Sequence, residues 1–298
     1  MMKFYILKWV IPSSYDGKLM REFLIDQHIS KRTLTAVKFD GGTITVNGKE
    51  EDVRYHLIEG DILEMKFPAE KGSGSLVAEE IPLSIIYEDG DVLVVDKPWG
   101  MKSIPTKNEP TGSLANAIAG YYERTGICST VHIVTRLDKD TSGLVLIAKH
   151  RHVHHLFSLQ QKGREIKRTY EAFAEGRLDS DIGTIEEPIG RKPVSIIERE
   201  VRQDGRYALT HYRVKKRFQD FDHIELRLET GRTHQIRVHM SFIGHPLAGD
   251  DLYGGSVALI GRQALHCKNL DFFHPVKKEW VHLVAVMPRD MQILLERQ

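Results

Sequence analysis

Residues 132–148 read HIVTRLDKDTSGLVLIA. A polar turn carrying Arg136, Asp138, Lys139 and Asp140 runs directly into an unbroken apolar stretch, Leu144 to Ala148. That pattern predicts a buried strand entered from a loop that holds charged groups at its mouth, a common way of presenting reactive side chains on a rigid support. A carboxylate set between Arg136 and Lys139 is suited to a nucleophile more than to a general acid, because neighbouring cations favour the charged form. Without further observations the same turn also fits a surface ion pair.

Outward from this stretch, further strand-like runs occur at Val92–Val95, Tyr170–Ala174, His223–Leu228 and Val281–Val286. Helical and loop segments of unequal length separate them. There is no regular βαβ alternation, and no glycine-rich phosphate loop follows a strand, so a doubly wound nucleotide-binding fold is disfavoured. The expectation is an α+β domain built on a largely antiparallel sheet.

Toward the N-terminus, Pro68 to Ser75 is rich in glycine and serine and reads as a flexible linker. It divides the chain into residues 1–67, a linker over 68–80 and a larger domain over 81–298. In the first part, Leu19, Phe23 and Leu24 fall at helical spacing, and Ser30 with Leu34 and Val37 predicts a second short helix. Thr43–Val46 alternates like a strand, Asn47-Gly48 is a hairpin turn, and Gly60-Asp61 introduces a strand over 62–65.

Composition bounds the function. With 298 residues, 41% hydrophobic and 28% charged, the chain is that of an ordinary globular protein. No stretch approaches the roughly 20 apolar residues of a membrane span. The opening MMKFYILKWV turns polar too quickly for a signal peptide. Two cysteines cannot build a disulfide framework in a chain this long, and a reducing cytoplasm is expected. A net charge of +1 argues against nucleic-acid binding by bulk charge alone but leaves room for a local basic surface. Residues 149–177 supply a candidate, with Lys149, Arg151, Lys162, Arg164, Lys167, Arg168 and Arg177 against three glutamates. Taken alone, such a run is also the signature of a solvated face.

Two resemblances sharpen this reading. The segment around ISKRTLTAV, GGTITVNGK and LIEGDILEM, over about residues 15–66, resembles the small RNA-binding S4 domain, although its usually basic helix carries only Lys31, Arg32 and Lys38. TRLDKDTSGLVLIAK resembles the central motif of the RluA-type pseudouridine synthases. Further motifs follow the family's order: LSIIYEDGDVLVVDKPWGM at 83–101, REIKRTYEAFAEG at 164–176, LETGRTHQIRVHMSFIGHPLAGDDLYG at 228–254 and ALHCKNLDFFHP at 264–275. The resemblance spans about residues 81–290.

The resemblance implies isomerisation of uridine to pseudouridine in RNA, with no cofactor and no metal. It matches Asp138 to the catalytic aspartate, Tyr170 to the tyrosine that stacks on the target base, and Arg237 to the basic residue paired with the aspartate. Arg136 matches the arginine that can enter the space left by a flipped base. Arg232, His234 and Gln235 lie in the third motif's turn, where phosphate contact and support of the pocket are implied. Thr135 stands where the family often has histidine. Asp138 would attack ribose C1′ or uracil C6, or deprotonate the sugar to give a glycal. The partner is RNA, ribosomal RNA first and transfer RNA second, for a monomeric enzyme.

From the residues themselves, Arg237 between Ile236 and Val238 fits a strand, facing away from both, and Tyr170 in an alternating strand also fits a core position. Two rivals stand beside the synthase. One is a non-catalytic RNA-binding protein. The other is a metal-dependent hydrolase using His150, His152, His154 and His155, which lacks a carboxylate or cysteine within the cluster to complete a common ligand set.

Overall fold

Residues 4–70 and 76–297 are described by a computed structural model, and two groups of elements organise around two apolar cores. The first group comprises β1 (Ile6–Val10), α1 (Met20–Asp26), α2 (Lys31–Phe39), β2 (Thr43–Val46), β3 (Lys49–Glu50) and β4 (Ile62–Lys66), with the antiparallel order β1-β4-β2-β3. Ser30 caps α2 by accepting from the Thr33 N–H at 3.1 Å. Asn47 and Gly48 both take positive φ, 51° and 82°, which suits the tight β2–β3 turn. Met20, Phe23, Leu24, Leu57, Leu63 and Met65 form a core of their own. The expected two helices and sheet are present, with one addition: β1, from the opening apolar residues, forms an edge of the sheet.

The second group begins with β5 (Ile85–Glu88), β6 (Val92–Lys97), α3 (Leu114–Thr125), β7 (His132–Ile133), β8 (Ser142–Ala148), α4 (Arg151–Lys162) and β9 (Lys167–Glu175). It continues through β10 (Ile182–Glu186), β11 (Ile189–Arg191), β12 (Arg199–Val201), β13 (Leu209–Arg217), β14 (Phe221–Leu228) and α5 (Gln235–Phe242). It closes with β15 (Leu265–Phe273), β16 (Trp280–Val284) and α6 (Arg289–Leu295). Its sheet runs β10-β13-β14-β9-β15-β8-β6-β5, with β16 on β15 and β7 on β8. Only the β15–β8 pair is parallel, so the sheet is mixed and largely antiparallel as expected.

Strand β8 lies inside this sheet with every residue buried, which is why it reads as a continuous apolar run and not an alternating one. Leu144, Val145, Leu146 and Ile147 are fully buried, each contributing about 1.5–3 kcal/mol relative to exposure. Gly143 has φ +115°, and a Cβ there would sit 2.3 Å from the Cys267 carbonyl oxygen, so the close β8–β15 approach requires glycine.

The predicted linker is partly covered: residues 71–75 lie outside the described residues. Its described flanks are tied to the second group. Glu70 accepts from the Thr130 hydroxyl, the Arg151 N–H and His132, and the Val77 carbonyl accepts from Asn116. Tyr5 stacks on His150 at 3.9 Å and Phe67 on His152 at 5.7 Å. Among the described residues no helix is long and apolar enough to cross a membrane.

Candidate active site

The loop between β7 and β8 is held from below. Ser103 donates its hydroxyl to the Leu137 carbonyl at 2.7 Å and accepts from the Leu137 N–H at 3.1 Å. Lys97, at the end of β6 and fully buried, donates to the carbonyls of Pro98, Met101 and Lys139 at 2.7–3.1 Å. Three acceptors match the three N–H bonds of an ammonium. Burial brings the Lys97 pKa down to about 7, with the carboxylates of Asp140 and Asp138 pulling it back up. Thr135 accepts from the Leu146 N–H and so fastens the loop to β8.

On this support the Asp138 carboxylate faces an open cleft of about 1660 Å³ with 28% of its side chain exposed. Opposite it stands α5. Arg237 projects from this helix, not from a strand as the Ile-Arg-Val alternation suggests. It is a buried helical residue whose Nη1 lies 3.4 Å from Asp138 Oδ2. Its Nε and Nη2 both donate to Asp250 at 2.7 Å, a two-pronged pair with the carboxylate fully buried. Arg237 thus presents one remaining edge to Asp138.

His234 begins α5 with φ 57°, a left-handed conformation rare for a side chain other than glycine. Its Nδ1 shares a 2.7 Å hydrogen bond with the Tyr253 hydroxyl, and its Nε2 lies 3.9 Å from Asp138. Burial lowers its pKa, Asp138 opposing and Arg237 reinforcing the shift. Tyr253 also packs beneath the Arg237 guanidinium at 4.9 Å.

Tyr170 lies on β9 between β14 and β15, almost wholly buried yet lining the cleft, with Arg168 5.9 Å from its ring. Burial raises its phenol pKa further above the usual value, so the neutral ring is the form present. Gln235 is buried and fully engaged: Oε1 accepts from Thr230 Oγ1 and the Arg232 N–H, and Nε2 donates to Leu209 O and Thr210 Oγ1. Phosphate contact is therefore not open to it; it fixes the turn. Arg232 and Arg136 both line the cleft, Arg232 anchored on the Tyr207 carbonyl and Arg136 exposed.

Lys162, Arg164, Lys167 and Arg168 of the predicted charged run line the cleft, with Glu229 3.6 Å from Arg164. The four histidines of that run do not assemble. His150 and His152 are covered by Tyr5 and Phe67, His154 stacks on His132, and none belongs to a metal-competent group among the described residues.

Residues 91–242, about half the chain, match the family model described as RNA pseudouridylate synthase. The chain is also 50% identical over 277 residues to the uncharacterized RNA pseudouridine synthase YjbO of Bacillus subtilis (strain 168), covering 93% of this chain and 98% of that one. It belongs to the RNA pseudouridine synthases of the RluA type. The ribosomal large subunit pseudouridine synthase D of Escherichia coli O6:H1 is 36% identical over 95% of this chain and 86% of its own. The human RNA pseudouridylate synthase domain containing 4 shares the fold, with a TM-score of 0.58 at 22% identity over 72% of this chain and 92% of that one.

A pseudouridine synthase breaks N1–C1′ and makes C5–C1′ within one nucleotide. Two parts of this candidate site carry no signal in the local sequence. Asp250 and Tyr253 lie within the quoted GDDLYG segment, but nothing local ties them to Arg237 or His234. Lys97 sits in the first motif, where a lysine ordinarily signals an exposed charge.

Proposed function

We propose that this synthase modifies uridine in large-subunit ribosomal RNA and that Asp138 is its catalytic carboxylate. The observation that carries the assignment is the Asp138–Arg237 approach at 3.4 Å inside the cleft. Arg237 is already neutralised on its far side by Asp250, so it orients Asp138 and leaves the carboxylate an oxygen directed to the cleft. The large-subunit target is argued from the relatives named for that RNA. Residues 1–67 are proposed as an S4-type RNA-binding module that holds RNA flanking the target.

The uridine must leave its stack to reach Asp138, at a cost of a few kcal/mol. Tyr170, almost wholly buried in the cleft wall, is the ring on which the extruded base would stack, and the exposed Arg136 would fill the vacated space. The cleft-lining cations from Lys162 to Arg168 hold flanking phosphates. Attack at C1′, addition at C6 and removal of a sugar proton all use the same carboxylate. In each route uracil turns over before C5 bonds to C1′, the C5 proton is released and N1 gains one, so the net change is an isomerisation with no oxidant.

The test compares Asp138→Asn with Asp140→Asn on ribosomal RNA containing 5-tritiated uridine, prepared from a strain lacking the protein. Asp138→Asn keeps shape and hydrogen-bonding capacity but is neither nucleophile nor base, so it is expected to bind RNA and release no tritium. Asp140→Asn is expected to retain turnover. Wild-type turnover in Asp138→Asn, or a dead Asp140→Asn, overturns the assignment. Tritium release from transfer RNA alone would overturn the ribosomal target.

A further inference from the structure

Among the described residues strand β16 pairs only with β15, and its register turns one face outward. Val281 and Leu283 pack against the main core, which turns Trp280, His282 and Val284 outward. Trp280 is 49% exposed and His282 67% exposed. Their rings lie 18° from parallel at 6.2 Å, as i and i+2 neighbours on a strand should. The pair is held in place: Phe273 meets the Trp280 ring edge-on at 5.9 Å, and His282 Nδ1 bonds Asp271 at 2.7 Å. Lys167 Nζ lies 6.0 Å from the Trp280 ring centre.

This face is continuous with the cleft. Asp271 and Asn269 stand opposite His282 and Val284 in the β15–β16 register, Lys167 stands opposite Asp271 in the β9–β15 register, and all three line the cleft. Lys162 and Arg164 line the same cleft, as does Arg168, which stands on the opposite face of β9 from Lys167. Two π-faces beside cations are what an unpaired polynucleotide requires, since every base can stack and every linkage is anionic. A protein partner would find the exposed Trp280 and Val284 interrupted by Lys167, Asp271 and His282.

We propose that Trp280 and His282, with Lys167 beside them, form a stacking platform for an unpaired base of the substrate RNA flanking the target uridine. The ring pair is fixed before RNA arrives, so little side-chain freedom is lost on binding. Lys167 neutralises a phosphate next to the stacked base. The platform sits outside the pocket of Asp138 and contributes to which RNA is held there.

The test is binding of a fluorescein-labelled oligouridylate of about twelve nucleotides, with an RNA duplex as control, to the full chain. Trp280→Ala is expected to weaken the oligouridylate by about tenfold and His282→Ala by a smaller factor, while Trp280→Phe stays near wild type. Lys167→Gln is expected to reduce the salt slope by about one. Unchanged oligouridylate affinity in both alanine variants overturns the platform, as does an equal loss for duplex and single strand. A change in oligomeric state in Trp280→Ala without a change in RNA affinity would assign the face to a second copy and also overturn it. The proposal rests on the target uridine entering the cleft at Asp138. That reading fails if Asp138→Asn still turns over, whatever Trp280 does, so the two failures are distinguishable.

Discussion

Arg237 gives two of its nitrogens to Asp250 at 2.7 Å and only the third, at 3.4 Å, to Asp138. The arginine is therefore held by a carboxylate thirteen residues along the chain and merely offered to the one in the cleft. Removing Asp250 would leave a buried guanidinium with one counter-charge at 3.4 Å, on a carboxylate 28% exposed, which is the costly way to break a buried pair. It would also free Arg237 to swing toward Asp138 and occupy the oxygen that must stay available.

Asp250→Ala is accordingly expected to lose about 3 kcal/mol of stability and most of its turnover, although Asp250 does not reach the cleft. Asp250→Asn, which can still accept from Arg237 with one oxygen, is expected to recover part of the stability and less of the rate. Urea unfolding and single-turnover tritium release check both. Wild-type turnover in Asp250→Ala would show that Arg237 needs no second carboxylate.

The junction between the two groups of elements predicts an acid weakness. Burial brings the pKa values of His150 and His152 down to about 4, against 6.5 in an unfolded chain. Between these values the unfolded state binds more protons, so stability falls as pH drops from 6.5 toward 4. Glu70 acts in a lower window. Burial alone would raise its pKa, but the His132 hydrogen bond and charge, the Thr130 hydroxyl and the Arg151 N–H bring it to about 2. Its contribution is present above 4.5 and is lost as pH falls through about 2. His152→Leu, which keeps the packing under Phe67 without a titrating ring, should flatten the loss between pH 6.5 and 4 by about 1 kcal/mol per pH unit. Unfolding midpoints against pH for both proteins decide it; parallel curves would remove His152 as a cause.

What the sequence made legible followed from local physics. β8 announced itself because a strand buried on both faces is apolar from Leu144 to Ala148, and the Asp138 turn stood out because its charges directly precede that run. α2 and the β2–β3 turn carried their own signals in Ser30 and Asn47-Gly48. α5 did not, since Gln235 to Met240 are all buried. A helix with no wet face shows no 3.6-residue period, and over a few residues Ile236, Val238 and Met240 alternate like a strand. The residues that complete the site were hidden for a different reason. Asp250, Tyr253 and Lys97 matter only through partners that folding brings to them, and no spacing in the chain encodes those contacts.

Lys97 gives the last prediction. Its ammonium is fully buried under the Asp138 loop and is the donor to three backbone carbonyls, including that of Lys139 next to the carboxylate. Lys97→Met fills similar space but leaves those carbonyls without that donor, a penalty of about 1–3 kcal/mol for each that cannot find water. Against this, the wild type bears the cost of desolvating the ammonium, seen in a pKa lowered from 10.5 to about 7. The sign with pH separates the two effects. Between 7 and 10.5 the unfolded chain holds the proton more tightly than the folded one, so the wild type gains stability relative to Lys97→Met as pH rises, by about 1 kcal/mol per unit. The substitution should thus be nearly tolerated in stability at pH 7 and increasingly damaging toward pH 10. Turnover should fall at both, because a slack loop no longer holds Asp138 against Arg237. Urea midpoints at three pH values, with single-turnover rates at the same points, check the argument. A stability gap that narrows as pH rises would mean that the buried ammonium is a net support of the fold near neutrality and that its proton is held more firmly than burial allows.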